Sequence, residues 1–149
     1  MARKQQTKRL LFFAETFKGV VTQKMLPNAI VMFQQEKYNR GDIIVLKEKP
    51  LTKFYLIEDG EVGLMFPTAE NPDKLKVINM NKIDFALTLT KNCMLCDEWV
   101  VGEPRNLYTA IALKQPTSLF SLTSNKFSIL RHIIGTAIFD WKATVSVNN

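Results

Sequence analysis

The chain has 149 residues, 46% of them hydrophobic, and a formal net charge of +6, the size and composition of one globular domain that can bury a core. No apolar run approaches the roughly 20 residues of a membrane span, and the start lacks the apolar core and cleavage site of a signal peptide. Two cysteines make no disulfide framework, so the expectation is an intracellular, cytoplasmic protein, with an organelle or cytoskeletal assembly left open.

The excess charge is local, because Arg3, Lys4, Lys8 and Arg9 all precede the first acid at Glu15. Residues 1–9 read as a basic N-terminal tail, either a solvated segment or a contact for an acidic partner. Over 10–32 the apolar residues Leu10, Leu11, Phe13, Phe17, Val20, Val21, Met25, Ala29, Ile30 and Met32 recur at helical spacing. Gly19 interrupts the first helix, and Pro27 suits the first turn of a second. Short apolar runs follow at Ile43–Leu46, Phe54–Ile57 and Val62–Phe66. Turn residues at Asn39–Asp42 and Glu58–Glu61 bound them, with Gly41 and Gly60 placed for positive φ. Leu75–Met80, Phe85–Leu89, Tyr108–Ala112 and Ser118–Leu122 read as further strands. A last amphipathic helix spans Ser124–Trp141, with Ser124 as N-cap and Phe127, Leu130, Ile134 and Ile138 on one face. The organisation is therefore helices over 10–32, an antiparallel β-unit over 33–123, a helix over 124–141 and a C-terminal tail over 143–149.

Tyr38, Gly41, Asp42 and Ile44, followed by Phe54, Tyr55, Ile57, Gly60, Glu61 and Val62, resemble the opening strands of the cyclic-nucleotide-binding domain. That is the β-roll of regulatory kinase subunits, gated channels and catabolite-activator-type regulators. The resemblance implies a mainly β fold: an antiparallel β-roll of double-stranded β-helix or jelly-roll type, with N-terminal helices and one C-terminal helix within 10–142.

In that family a Phe-Gly-Glu sequence opens a short helix and an arginine follows about nine residues later. Helix amides and the guanidinium bind the cyclic phosphate, and the glutamate accepts from the ribose hydroxyl. The matching residues here are Leu95, Cys96 and Asp97, then Arg105, with Pro104–Arg105 resembling the family's Pro-Arg. The cassette departs from the pattern. Cys96 replaces a glycine, Asp97 is a methylene short unless Glu98 takes its place, and Asn106, Leu107 and Tyr108 stand where a small residue is usual. Upstream, Glu48 and Leu51 replace loop glycines. The resemblance thus implies a β-roll with a degenerate phosphate-binding cassette.

Cys93-Met-Leu-Cys96 lacks the further ligands of a zinc site and the βαβ context of a redox dithiol. His132 has no second histidine or triad partner, so no catalysis and no metal are expected. Three readings follow. The first is a non-catalytic interaction subunit of a larger assembly, without a cofactor. Its protein partners would meet the basic residues Arg3, Lys4, Lys8 and Arg9 and the aromatics Trp99 and Trp141, unless Trp99 instead fills the vacated nucleotide pocket. The second is a cAMP or cGMP sensor built on Leu95, Cys96, Asp97, Glu98, Arg105 and Asn106, acting on a separate effector chain. The third, a nucleic-acid-binding regulator, lacks a helix-turn-helix segment, and nucleic acid is not an expected partner.

Overall fold

The computed structural model describes residues 3–19, 21–66, 85–96 and 105–134. Helix α1 (Arg3–Thr16) leads into the short α2 (Leu26–Ile30). Eight strands follow: β1 (Gln34–Tyr38), β2 (Ile43–Val45), β3 (Lys53–Asp59), β4 (Val62–Met65), β5 (Leu87–Leu89), β6 (Met94–Leu95), β7 (Thr109–Ala112) and β8 (Thr117–Thr123). Helix α3 (Ser124–Ile134) closes the described chain.

The strands form two antiparallel four-stranded sheets, ordered β1-β8-β3-β6 and β2-β7-β4-β5. The first four strands alternate between sheets, so the turns at Gly41 and Gly60, with φ of 94° and 98°, carry the chain from one layer to the other. At the first, Gly41 N–H donates to the Ala112 carbonyl at 2.8 Å and Asn39 N–H to Asp42 Oδ2 at 2.8 Å. β3 runs further than its apolar residues suggest, to Asp59, leaving Gly60 and Glu61 as the turn.

Residues paired across a sheet share a face. In the β1-β8-β3 layer, Phe120 pairs with Gln35 and Leu56, and Leu122 with Phe54. This face takes the helices: Phe13 lies 4.7 Å from Phe120 and 5.0 Å from Phe33 between ring centroids, and Phe127 of α3 lies 5.0 Å from Phe54. Its far end is polar, where buried Glu58 accepts from Ser118 Oγ at 2.7 Å and Gln35 Nε2 at 2.8 Å. The opposite face carries Glu36, Tyr38, Lys53, Tyr55, Ile57, Leu119 and Ser121 toward the second sheet. Ile57 and Leu119 join Val62, Leu64 and Ala110 in one continuous core.

Several sequence expectations need correction. The segment read as a tail is helical from Arg3 onward, because Lys, Arg, Gln and Leu are good helix formers and the helix is anchored further along by Phe12, Phe13 and Phe17. α1 stops at Thr16 and Gly19, at φ 80°, lies in the turn that follows; Pro27 sits in the first turn of α2 as its spacing suggests. The cap of α3 is Thr123, not Ser124: Thr123 Oγ1 accepts from Lys126 N–H at 3.4 Å, while Ser124 N–H bonds back to the Thr52 carbonyl. β1 and β6 carry no apolar pattern long enough to be read as strands. The expected strand at Leu75–Met80, and Ile138 and Trp141 of the expected long C-terminal helix, lie outside the described residues.

Candidate functional site

β6 ends the β3 edge of its sheet, and Leu95 pairs with Tyr55 as a fully buried core residue. The chain then turns at Cys96, whose φ is 64°. Cys96 is fully buried; its N–H donates to Tyr108 Oη at 2.6 Å, and its thiol points at Asn106 Oδ1, 3.6 Å away. Asn106 is itself fixed on three sides. Its N–H donates to the Lys49 carbonyl at 3.0 Å, its carbonyl accepts from Glu48 N–H at 2.9 Å, and Nδ2 donates to the Leu46 carbonyl at 3.0 Å. Arg105 is exposed, and its Nη1 donates to the Glu48 carbonyl at 3.0 Å. The loop after β2, the turn after β6 and the approach to β7 are thus joined into one hydrogen-bonded cluster.

Both Glu48 and Cys96, the residues matched to family glycines, have positive φ, 72° and 64°. A side chain in this region costs about 1–2 kcal/mol relative to glycine. The cost at Cys96 is offset by burial and by the Tyr108 and Asn106 contacts, and at Glu48 by bonds at both its N–H and its carbonyl. Leu51, the other substituted glycine position, is buried in the core. Asp97, Glu98 and Trp99 lie outside the described residues.

Beside this cluster is a cavity of about 600 Å³. Ile43, Ile44, Val45 and Leu46 form its apolar wall, with Lys49, Lys53, Tyr55 and Asn106 at its polar side. Neither Leu95, Cys96 nor Arg105 lines it. A polar chain lies along the adjoining sheet face: Tyr38 Oη donates to Glu36 Oε1 at 2.8 Å and Lys53 Nζ lies 3.4 Å from Glu36 Oε2. Burial, reinforced by the charge of Glu36, pushes the Tyr55 hydroxyl up to about 12, so it stays protonated at neutral pH. Burial also raises the Tyr38 hydroxyl, reinforced by its bond to Glu36. For Glu36 burial acts upward, but hydrogen bonds from Ser121 and Tyr38 and the Lys53 charge outweigh it and hold the carboxyl below its ordinary value.

Folded Glu36 therefore binds fewer protons than the unfolded chain at mildly acidic pH. Its stabilisation is present above the unfolded value of about 4.3 and is lost as pH falls through the lower folded value. The stability difference between wild type and Glu36→Gln, from urea unfolding, is expected to be larger at pH 7 than at pH 3. An unchanged difference would rule out the carboxylate charge as its source.

Of the basic residues assigned to a partner surface, Arg9 is turned inward. Its Nη2 donates to the Phe33 carbonyl at 2.6 Å and its guanidinium carbon lies 5.0 Å from the Phe120 ring centroid. Lys8 is exposed, as are Leu10 and Leu11 beside it, and Arg3 and Lys4 occupy the first turn of α1. Trp141 lies outside the described residues. Among the described residues no cluster of three or more His, Cys, Asp or Glu side chains is placed to hold a metal, and no helix is long and apolar enough to cross a membrane.

No protein-family model matches the chain. No curated protein matches it either. Solved structures do. A cyclic nucleotide-binding domain from Methylobacillus flagellatus superposes with a TM-score of 0.74 at 11% identity, covering 95% of this chain and 78% of that one. The chain has the cyclic-nucleotide-binding-domain fold. The catabolite activator protein of Thermus thermophilus shares this fold with a TM-score of 0.69 at 16% identity, over 89% of this chain and 57% of its own length. A mutant regulatory subunit of a cAMP-independent protein kinase A from Trypanosoma brucei, with cAMP bound in its A site, superposes with a TM-score of 0.71 at 13% identity over 95% of this chain and 48% of its own. The cyclic-nucleotide-binding-domain fold thus accounts for about half the length of these last two proteins.

Proposed function

We propose that this domain is a non-catalytic member of the cyclic-nucleotide-binding fold that has lost tight nucleotide binding and serves as a protein-interaction subunit of a larger assembly. The observation that carries this reading is the state of Cys96. At the position matched to the family's ligand-facing glycine, the backbone N–H is already taken by Tyr108 Oη at 2.6 Å and the side chain is fully buried. An incoming phosphate must break that bond, and the net loss of one intramolecular hydrogen bond costs about 0.5–1.5 kcal/mol. Exposed Leu10 and Leu11 beside Lys8 on α1 support a protein contact there, with Trp99 and Trp141 as further anchors of the kind interfaces favour.

The test is calorimetric titration of the folded chain with cAMP and with cGMP to millimolar concentration, with Arg105→Ala as control. The expected result is no saturable heat. Saturable binding that disappears in Arg105→Ala would instead establish the second reading, a cyclic-nucleotide sensor acting on a separate effector chain. Positive φ at both Glu48 and Cys96 favours that alternative, because it keeps the backbone path that glycines otherwise supply.

A further inference from the structure

The 600 Å³ cavity is within the range of small-molecule sites, about 300–1,000 Å³; of the described residues matched to the nucleotide site Asn106 lines it, while Leu95, Cys96 and Arg105 do not. Its wall has an unusual origin. In a regular strand successive side chains alternate between faces, yet Ile43, Ile44 and Val45 of β2, and Leu46 just after it, all border this space. The pairing of β2 with β7 slips between Ile43 and Val45. Such a bulge bends an edge strand and re-aims its side chains, and bulges are enriched beside functional sites. All four residues are half-buried rather than packed shut, so the apolar wall is open to a ligand.

The charge that lines the cavity is of one sign. Lys49 and Lys53 line the cavity, and no aspartate or glutamate among the described residues does. Lys53 is ion-paired with Glu36 at 3.4 Å, whereas Lys49 is exposed. The Asn106 amide bonds the Leu46 carbonyl, tying the apolar wall to the polar side.

From this juxtaposition the geometry points to a binding site for a small amphipathic organic acid, its apolar body against the bulged β2 strand and its carboxylate between Lys49 and Lys53. A cationic head would face two like charges, and a neutral head would leave the Lys49 charge uncompensated, Lys53 being already paired with Glu36. The inference does not rest on the loss of nucleotide binding, since Arg105 takes no part in the lining.

The test compares three probes with one apolar body, octanoate, octylamine and 1-octanol, titrated calorimetrically into the folded chain. Octanoate is expected to bind saturably and at least about tenfold more tightly than octylamine, since one charged contact is worth roughly that factor. Lys49→Met and, separately, Lys53→Met should each weaken octanoate severalfold and leave octanol unchanged, with thermal melts confirming that both variants fold. Arg105→Ala should leave octanoate binding as it is. No saturable octanoate binding, equal binding of octanoate and octylamine, or octanoate binding indifferent to both lysines would each overturn the assignment. The cyclic-nucleotide titration answers through Arg105 and this one through Lys49 and Lys53, so either can fail without the other.

Discussion

Phe13→Ala is expected to lower the unfolding free energy by about 3–5 kcal/mol, the range for removing a buried phenylalanine and leaving a cavity. Phe13 is fully buried and sits at the centre of the aromatic layer between α1 and the β1-β8-β3 sheet. Its ring centroid is 4.7 Å from Phe120, 5.0 Å from Phe33, 5.3 Å from Phe12 and 5.8 Å from Phe17. The helix has little stability of its own. The first turn of α1 has no acidic residue and contains Arg3 and Lys4, so its charges oppose the helix dipole, and a helix of 14 residues is marginal in water without tertiary packing. Such a loss is a large share of a typical domain stability of about 5–15 kcal/mol. Leu11→Ala is the control, because Leu11 is 64% exposed and its truncation should change stability by less than about 0.5 kcal/mol. Urea unfolding of the two variants measures both values, and similar small losses would show that α1 does not depend on this layer.

The same contrast explains which parts of the fold are legible in the sequence. β3, β4, β7 and β8 bury a run of residues each, Phe54–Ile57, Val62–Leu64, Thr109–Ala112 and Thr117–Leu122, and apolar content marks them. β1 is Gln-Gln-Glu-Lys-Tyr on a sheet edge, mostly exposed. Its pairing with β8 makes it a strand, and nothing local does. β6 has two residues, too few for any period. The glycine turns are readable because positive φ selects glycine, and Gly41 and Gly60 both adopt it.

The candidate site is less legible for the converse reason. Glu48, Asn92 and Cys96 adopt positive φ without being glycine, and no residue type announces that. The substitutions at 48 and 96 read as departures from a pattern, whereas the backbone there is left-handed all the same. Tyr108 reads in the sequence as a bulky residue where a small one is usual. Its role as acceptor for the Cys96 N–H depends on contact between residues 12 apart in the chain. Arg9 shows the same limit: a cation in a basic cluster is most simply a surface group, and its stacking over Phe120 follows only from the docking of α1.

Gly60→Ala carries the other large expected effect, about 2–5 kcal/mol, from two causes that combine. At φ 98° an L-residue costs about 1–2 kcal/mol for the left-handed backbone. A Cβ on Gly60 would also lie 2.6 Å from Thr117 Oγ1 and 2.8 Å from Thr117 Cα, and such overpacking typically costs about 1–3 kcal/mol. Thr117 cannot easily withdraw. It is fully buried at the start of β8, pairs with Tyr38, and its hydroxyl donates to the Lys114 carbonyl at 2.8 Å. Gly19→Ala separates the two causes, because Gly19 also has positive φ, 80°, but a Cβ added there would meet nothing within 4 Å. It should show the backbone cost alone. A Gly60→Ala loss clearly larger than that of Gly19→Ala, measured by urea unfolding, would establish the close approach of the β3–β4 turn to β8. Equal losses would mean that Gly60 is there only for its φ, and that the contact between the turn and β8 does not hold the two sheets in register.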